Sequence, residues 1–122
     1  MPGDDALLDE TLAVLDDLIA FPTVALTPNL DLIGYVEDRL GPLCSDLVLT
    51  HDETRSRANL FATIGPNVDG GIVLSGHSDV VPVDAADWAT PPFKATRRGD
   101  RIYGRGTADM KGFIACVLAL AP

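Results

Sequence analysis

Ile72-Val73-Leu74-Ser75-Gly76-His77-Ser78-Asp79-Val80 decides how this chain is read. Its opening residues form a continuous apolar run after Gly70-Gly71, without the alternation of a strand that has one wet face. The segment therefore predicts a strand covered on both sides, as in sheets whose two faces carry helices. His77 follows at its carboxyl end, where open α/β sheets collect ligands.

The flanking segments fit the same class. Leu8, Leu12, Leu15 and Ile19 recur at helical spacing and predict a helix over 5–20, with Asp4 and Asp5 at its positive end and Phe21-Pro22 stopping it. A second helix is expected over 30–40, capped by Asn29, striped by Ile33, Val36 and Leu40, and ended by Gly41-Pro42. Residues 47–50 and 59–64 read as short strands, and 93–97 with 101–103 as a hairpin around Arg98-Gly99-Asp100. Residues 110–120 read as a helix. Helices alternating with strands predict an α/β fold on a mixed, mostly parallel sheet flanked by helices. A last helix just begun after the most motif-dense stretch suggests the opening piece of a longer chain.

Composition narrows the function classes. The 122 residues make about one domain, 47% hydrophobic and 22% charged, with 18 acidic against nine basic residues and a net charge of −9. Nucleic acid is an unsuitable partner, because holding a polyanion needs a basic patch to displace its counterions. Met1-Pro2-Gly3-Asp4-Asp5 is acidic where a secretory signal needs positive charge, so the expected location is the cytoplasm. The longest apolar stretch, Phe113 to Ala121, falls short of the roughly 20 residues that span a bilayer, so no membrane role is expected. Cys44 and Cys116 form no CxxC pair and read as buried small hydrophobes in a reducing compartment.

Three motifs fail on inspection. Gly76-His77-Ser78-Asp79-Val80 approaches a nucleophile elbow, but Val80 stands where the second glycine must allow the turn. Gly104-Arg105-Gly106 starts a dinucleotide fingerprint, yet Asp109 occupies its last glycine position and would repel a pyrophosphate. Lys111 is followed by Gly112 rather than a hydroxyl residue, so no phosphate loop exists.

Two constellations remain. In extended backbone His77 and Asp79 project to one side, so the carboxylate can hold one imidazole nitrogen and leave the other for a metal. Equally, the pair can be a strand-end hydrogen bond. Tyr103-Gly104-Arg105-Gly106-Thr107-Ala108-Asp109-Met110-Lys111-Gly112 is a glycine-rich turn in which Asp109 either caps the last helix or offers its carboxylate. Lys111, a cation in a first helical turn, either reaches solvent or pairs with a carboxylate or an anionic ligand. Taken together, His77 with Asp79 and Asp109, 32 residues further on, could converge on one ion such as zinc.

Ser75 through Val83, then Asp87-Trp88 with Pro92-Phe93, then Tyr103 through Gly112, resemble the co-catalytic zinc peptidase family of acetylornithine deacetylase, succinyl-diaminopimelate desuccinylase, aminoacylase and glutamate carboxypeptidase. The resemblance covers residues 72–116 strongly and the first two helices loosely, and Ala108 through Phe113 is most like the acetylornithine deacetylase branch. It implies that residues 1–122 are the N-terminal portion of a zinc-exopeptidase-like catalytic domain, truncated, without a lid or dimerisation domain.

It also implies that His77 and Asp109 are metal ligands, His77 on one zinc and Asp109 bridging two. Asp79 is then the active-site residue that orients His77, and the Asp109–Met110 peptide is cis. Cobalt could replace zinc. Trp88, Pro92 and Phe93 are expected to pack the loop beside the site, and His51, Asp84 and Asp87 to be surface or turn residues. The family's adjacent glutamate pair, its further carboxylate and its late histidine would lie beyond residue 122, since Glu10, Glu37 and Glu53 form no pair.

The implied activity is removal of the acyl group from an N-acyl amino acid, N-acetylornithine to ornithine and acetate, a step of arginine biosynthesis, by a homodimer in its full-length form. Related desuccinylase, aminoacylase and carboxypeptidase activities, and a non-catalytic ligand-binding relative, are the alternatives.

Overall fold

A computed structural model describes residues 3–122; Met1 and Pro2, on which part of the N-terminal reading falls, lie outside the described residues. Three helices and two antiparallel hairpins follow in the order α1 (Asp4–Ala20), α2 (Leu30–Leu40), β1 (Asp46–His51), β2 (Ala58–Thr63), β3 (Thr96–Arg98), β4 (Arg101–Tyr103) and α3 (Gly112–Leu120). A π-helical turn over Thr107–Lys111 leads into α3. No described helix is long and apolar enough to cross a membrane.

The helices form because each can bury one stripe. Helix α1 buries Val14, Leu15, Leu18 and Ile19, while Leu8 of the expected stripe stays 53% exposed. The apolar face is thus rotated toward α3, whose Ala115 and Leu118 complete the core with Leu32, Ile33, Val36 and Leu40 of α2. Asn29 does not cap α2 with its side chain. Its amide instead grips the backbone of Ala58, donating to the carbonyl at 3.0 Å and accepting from the N–H at 2.9 Å, which fastens the start of α2 to β2.

β1 pairs with β2 in the register Asp46↔Thr63 to His51↔Ala58, and β3 with β4 from Thr96↔Tyr103 to Arg98↔Arg101. The α/β class holds, but both ladders are antiparallel. Among the described residues, parallel pairing is confined to one bridge, Val24↔Val80. The apolar segment 72–75 is extended without a ladder partner, and Ile72, Val73 and Leu74 are 89%, 74% and 58% exposed. A strand buried on both faces needs neighbours on both sides, and these residues do not supply them.

The cysteine reading is also corrected. Both thiols are free, Cys44 half-buried and Cys116 exposed on the outer face of α3.

Candidate metal centre

The extended segment after Leu74 brings His77 to the end of the Val24↔Val80 bridge, and the turn before α3 brings Asp109 to the same place. His77 Nδ1 lies 3.0 Å from the Asp79 carbonyl oxygen and 3.1 Å from Asp79 Oδ1. His77 Nε2 lies 2.9 Å from Asp109 Oδ1. The three residues singled out in the sequence therefore meet, with one imidazole between two carboxylates. Separation in the chain had left open whether His77 and Asp109 were neighbours at all.

Asp109 does not cap α3: Lys111 holds that position, and Asp109 and Met110 have non-helical backbone angles (φ −133°, ψ 94°; φ −136°, ψ 31°). The kink turns the Asp109 side chain, 85% exposed, toward the histidine. The Asp109–Met110 peptide is cis.

The turn can lie this close only because of its glycines. Gly106 has φ +88°, and a Cβ there would stand 2.6 Å from Val80 Cγ1. At Gly112 a Cβ would meet the Thr107 carbonyl oxygen at 2.3 Å. Neither position tolerates a side chain while the turn keeps its place.

Both ring nitrogens of His77 face oxygen atoms, an arrangement that favours the doubly protonated ring. Partial burial pulls its pKa down, but the hydrogen bond to the Asp79 carbonyl, that to Asp109 and the charges of both carboxylates outweigh it, and the pKa is raised. A metal ion would replace the Nε2 proton.

The donor chemistry suits zinc: an imidazole nitrogen with a second-nitrogen anchor, and a carboxylate with a free oxygen. Tetrahedral zinc bonds of about 2.0–2.1 Å would set the two donors about 3.3 Å apart. The observed 2.9 Å needs a small opening, which the exposed Asp109 side chain can give. In number the set is short, since among the described residues no cluster of three or more His, Cys, Asp or Glu side chains could hold an ion.

Lys111 does what neither sequence reading foresaw. It is fully buried, reaches neither solvent nor, among the described residues, a carboxylate, and donates from Nζ to the Phe21 carbonyl at 2.6 Å. Burial lowers its pKa to about 8. The missed signal was Phe21-Pro22 ending a helix with no basic residue in its last turn, which leaves helix-end carbonyls short of a cation.

Trp88 lies beneath the Arg105 guanidinium, 4.9 Å from ring centroid to carbon, and the Pro92 carbonyl accepts from the Arg105 N–H, so this loop packs on the glycine turn. Asp84 accepts from the Ala86 N–H and closes its own turn. A groove of about 720 Å³ runs between α2, β2, the 73–79 segment and α3. His77 and Asp79 stand on its wall, whereas Asp109 does not. Its lining by Leu32, Ile33, Val36 and Leu118 makes it an open face of the core rather than a pocket shaped around the carboxylates.

Comparison with known proteins gives a consistent set of likenesses. Residues 73–122 match the model of peptidase family M20/M25/M40. The chain is 48% identical over 108 residues to an acetylornithine deacetylase of Proteus mirabilis (strain HI4320), covering 83% of this chain and 28% of that protein. It is 40% identical over 108 residues to one of Shigella sonnei (strain Ss046), with the same coverage. Against one of Pasteurella multocida (strain Pm70) it is 40% identical over 114 residues, 88% of this chain and 30% of that protein. The chain thus spans less than a third of the length of these relatives.

Proposed function

We propose, from the match of residues 73–122 to the model of peptidase family M20/M25/M40, that the chain is the N-terminal portion of the catalytic domain of a metal-dependent amidohydrolase. Its substrate is an N-acyl amino acid, N-acetylornithine in this reading, which yields ornithine and acetate. The observation that carries the proposal is the 2.9 Å approach of His77 Nε2 to Asp109 Oδ1 in the segment that matches the family. The likeness to acetylornithine deacetylases supports the choice of substrate.

His77 Nε2 and the Asp109 carboxylate are the groups that would hold the metal, zinc with cobalt as a substitute, and the second oxygen of Asp109 is free to serve a second ion. Asp79 fixes the imidazole through Nδ1, so that Nε2 is the nitrogen presented. When bound, the metal supplies Lewis acidity toward the acyl carbonyl and the attacking water. In this reading the general base lies outside these residues, since Glu10, Glu37 and Glu53 form no adjacent pair. The 122 residues alone therefore bind metal weakly and turn over negligibly, while the complete protein acts as a cytoplasmic homodimer on a small-molecule substrate.

The test is deacetylation of N-acetylornithine by the complete polypeptide that carries these residues, beside N-succinyl-diaminopimelate and other N-acyl amino acids. Activity abolished by a chelator, restored by zinc or cobalt and lost in His77→Ala is expected. Full activity in His77→Ala removes the metal role, and preference for another acyl compound moves the substrate within the family. Turnover by the 122-residue chain itself overturns the division of labour.

A further inference from the structure

Residues 21–25, between α1 and α2, touch both halves of the candidate centre. On one side the Phe21 carbonyl accepts from Lys111 Nζ, two residues past Asp109, and also from the Thr23 N–H at 2.8 Å. On the other, Thr23, 4% exposed, donates from Oγ1 to the Ser78 carbonyl at 2.6 Å, and Ser78 sits between His77 and Asp79. Two ladder bonds complete the attachment, Val80 N–H to the Thr23 carbonyl and Ala25 N–H to the Val80 carbonyl, each 2.9 Å. His77 and Asp109 stand 32 residues apart in the chain, and a continuous set of directional bonds runs from the backbone beside one to the backbone beside the other through five residues that hold neither ligand.

We propose that Phe21–Ala25 is a bracket that sets the His77–Asp109 separation, with Thr23 and Lys111 as positioning residues for the metal-holding pair. The inference rests on the metal reading above for its purpose and on the hydrogen bonds alone for its geometry. Apolar packing would fill both positions as well: valine has the shape of threonine, and a methionine stem occupies the path of a lysine. What those replacements lack is direction. A buried ammonium with a single carbonyl acceptor and a buried hydroxyl with another locate the two backbones relative to each other, where apolar contacts would let them slide. Gly106, lacking a Cβ, lets the turn lie beside Val80, where an added Cβ would stand 2.6 Å from Cγ1.

The experiment compares Thr23→Val and Lys111→Met with Thr23→Ser, which keeps the hydroxyl, and with Thr11→Val, which removes a similar bond from Oγ1 to the Leu7 carbonyl in α1, away from the centre. Two readouts are taken on the 122-residue chain. Without added metal, cross-relaxation in NMR between His77 ring protons and Asp109 Hβ reports their proximity, with the ring of His51, the other histidine, as internal reference. With cobalt(II), visible absorption gives the dissociation constant, His77→Ala serving as the baseline.

The wild type and Thr23→Ser show the cross-peak, as does Thr11→Val; Thr23→Val and Lys111→Met lose it and bind cobalt about 10- to 100-fold more weakly. Retention of the cross-peak with cobalt affinity within twofold in both variants overturns the bracket, as does its absence in the wild type. If the wild type binds cobalt no better than His77→Ala, the metal reading fails for this chain, and the bracket is still decided by the cross-peak. Should Thr23→Val not fold, Lys111→Met carries the comparison, because it removes a charge from the core rather than adding one.

Discussion

Lys111 offers the sharpest quantitative check on the structure. Its side chain is wholly buried and, among the described residues, its amine has one carbonyl acceptor and no counter-charge, so burial favours the neutral form and the pKa falls from 10.5 to about 8. Between those values the unfolded chain holds a proton that the folded chain has released. Stability must therefore rise with pH across that window, and the penalty is fully present below pH 8. At about 1.4 kcal/mol per pH unit the rise amounts to about 3 kcal/mol.

Lys111→Met removes the ionisable group. It relieves that penalty and forfeits a hydrogen bond worth about 1.5–3 kcal/mol when the donor is charged. The variant should then equal or modestly exceed the wild type in stability at pH 7, and lose the pH-dependent rise. Urea unfolding of both proteins from pH 7 to 10.5 measures the difference, in which every other ionising group cancels. Carbon-13 NMR of the lysine Cε atoms measures the pKa directly, because Lys94, exposed, is the second of only two lysines and serves as reference. Co-titration of Lys111 with Lys94, or a wild-type-minus-variant difference that stays within 1 kcal/mol across the range, would refute the reasoning.

Gly106→Ala places a methyl against Val80 at a positive φ and should cost roughly 2–4 kcal/mol in urea unfolding; a change under 1 kcal/mol would mean that the turn is not held against the strand end. Leu18→Ala empties a fully buried site between α1 and α3 and should cost about 2–5 kcal/mol, read by the same method. The raised pKa of His77 makes its ion pairing contribute to stability fully below its ordinary value of 6.5, a contribution lost as pH rises through the folded value. Cobalt must displace the Nε2 proton, so its affinity should strengthen with rising pH through that same value; a pH-independent cobalt affinity, measured by absorption, would exclude His77 as the proton that leaves.

Much of this was legible in the residues because it depends on local period. Helix α2 occupies the predicted span, with Ile33, Val36 and Leu40 buried, since an apolar stripe at 3.6-residue spacing has one way to hide. His77 and Asp79 face the same side because alternation along extended backbone requires it. The glycines of the 104–112 turn announced a tight path, and Gly106 and Gly112 prove to be places where a Cβ has no room.

Other features depended on partners that neighbouring letters do not name. Asn29 looked like a cap and instead holds Ala58, 29 residues away. Local sequence allowed Asp109 either to cap α3 or to offer its carboxylate toward His77, and the structure places it against His77. The apolar run at 72–75 looked enclosed and is exposed, because enclosure belongs to whatever lies alongside a strand and not to the strand itself.

The amino-acid order by itself determined which segments coil, which extend, and that an imidazole and two carboxylates were available at ends of elements where ligands gather. Tertiary structure alone decided that His77 and Asp109 touch, and that Lys111 lies in the core against a carbonyl 90 residues earlier. The reason is one of range. Local preference reaches over a turn of helix or a pair of strand residues, whereas the meeting of distant side chains is set by how the three helices stack and where the chain reverses between them.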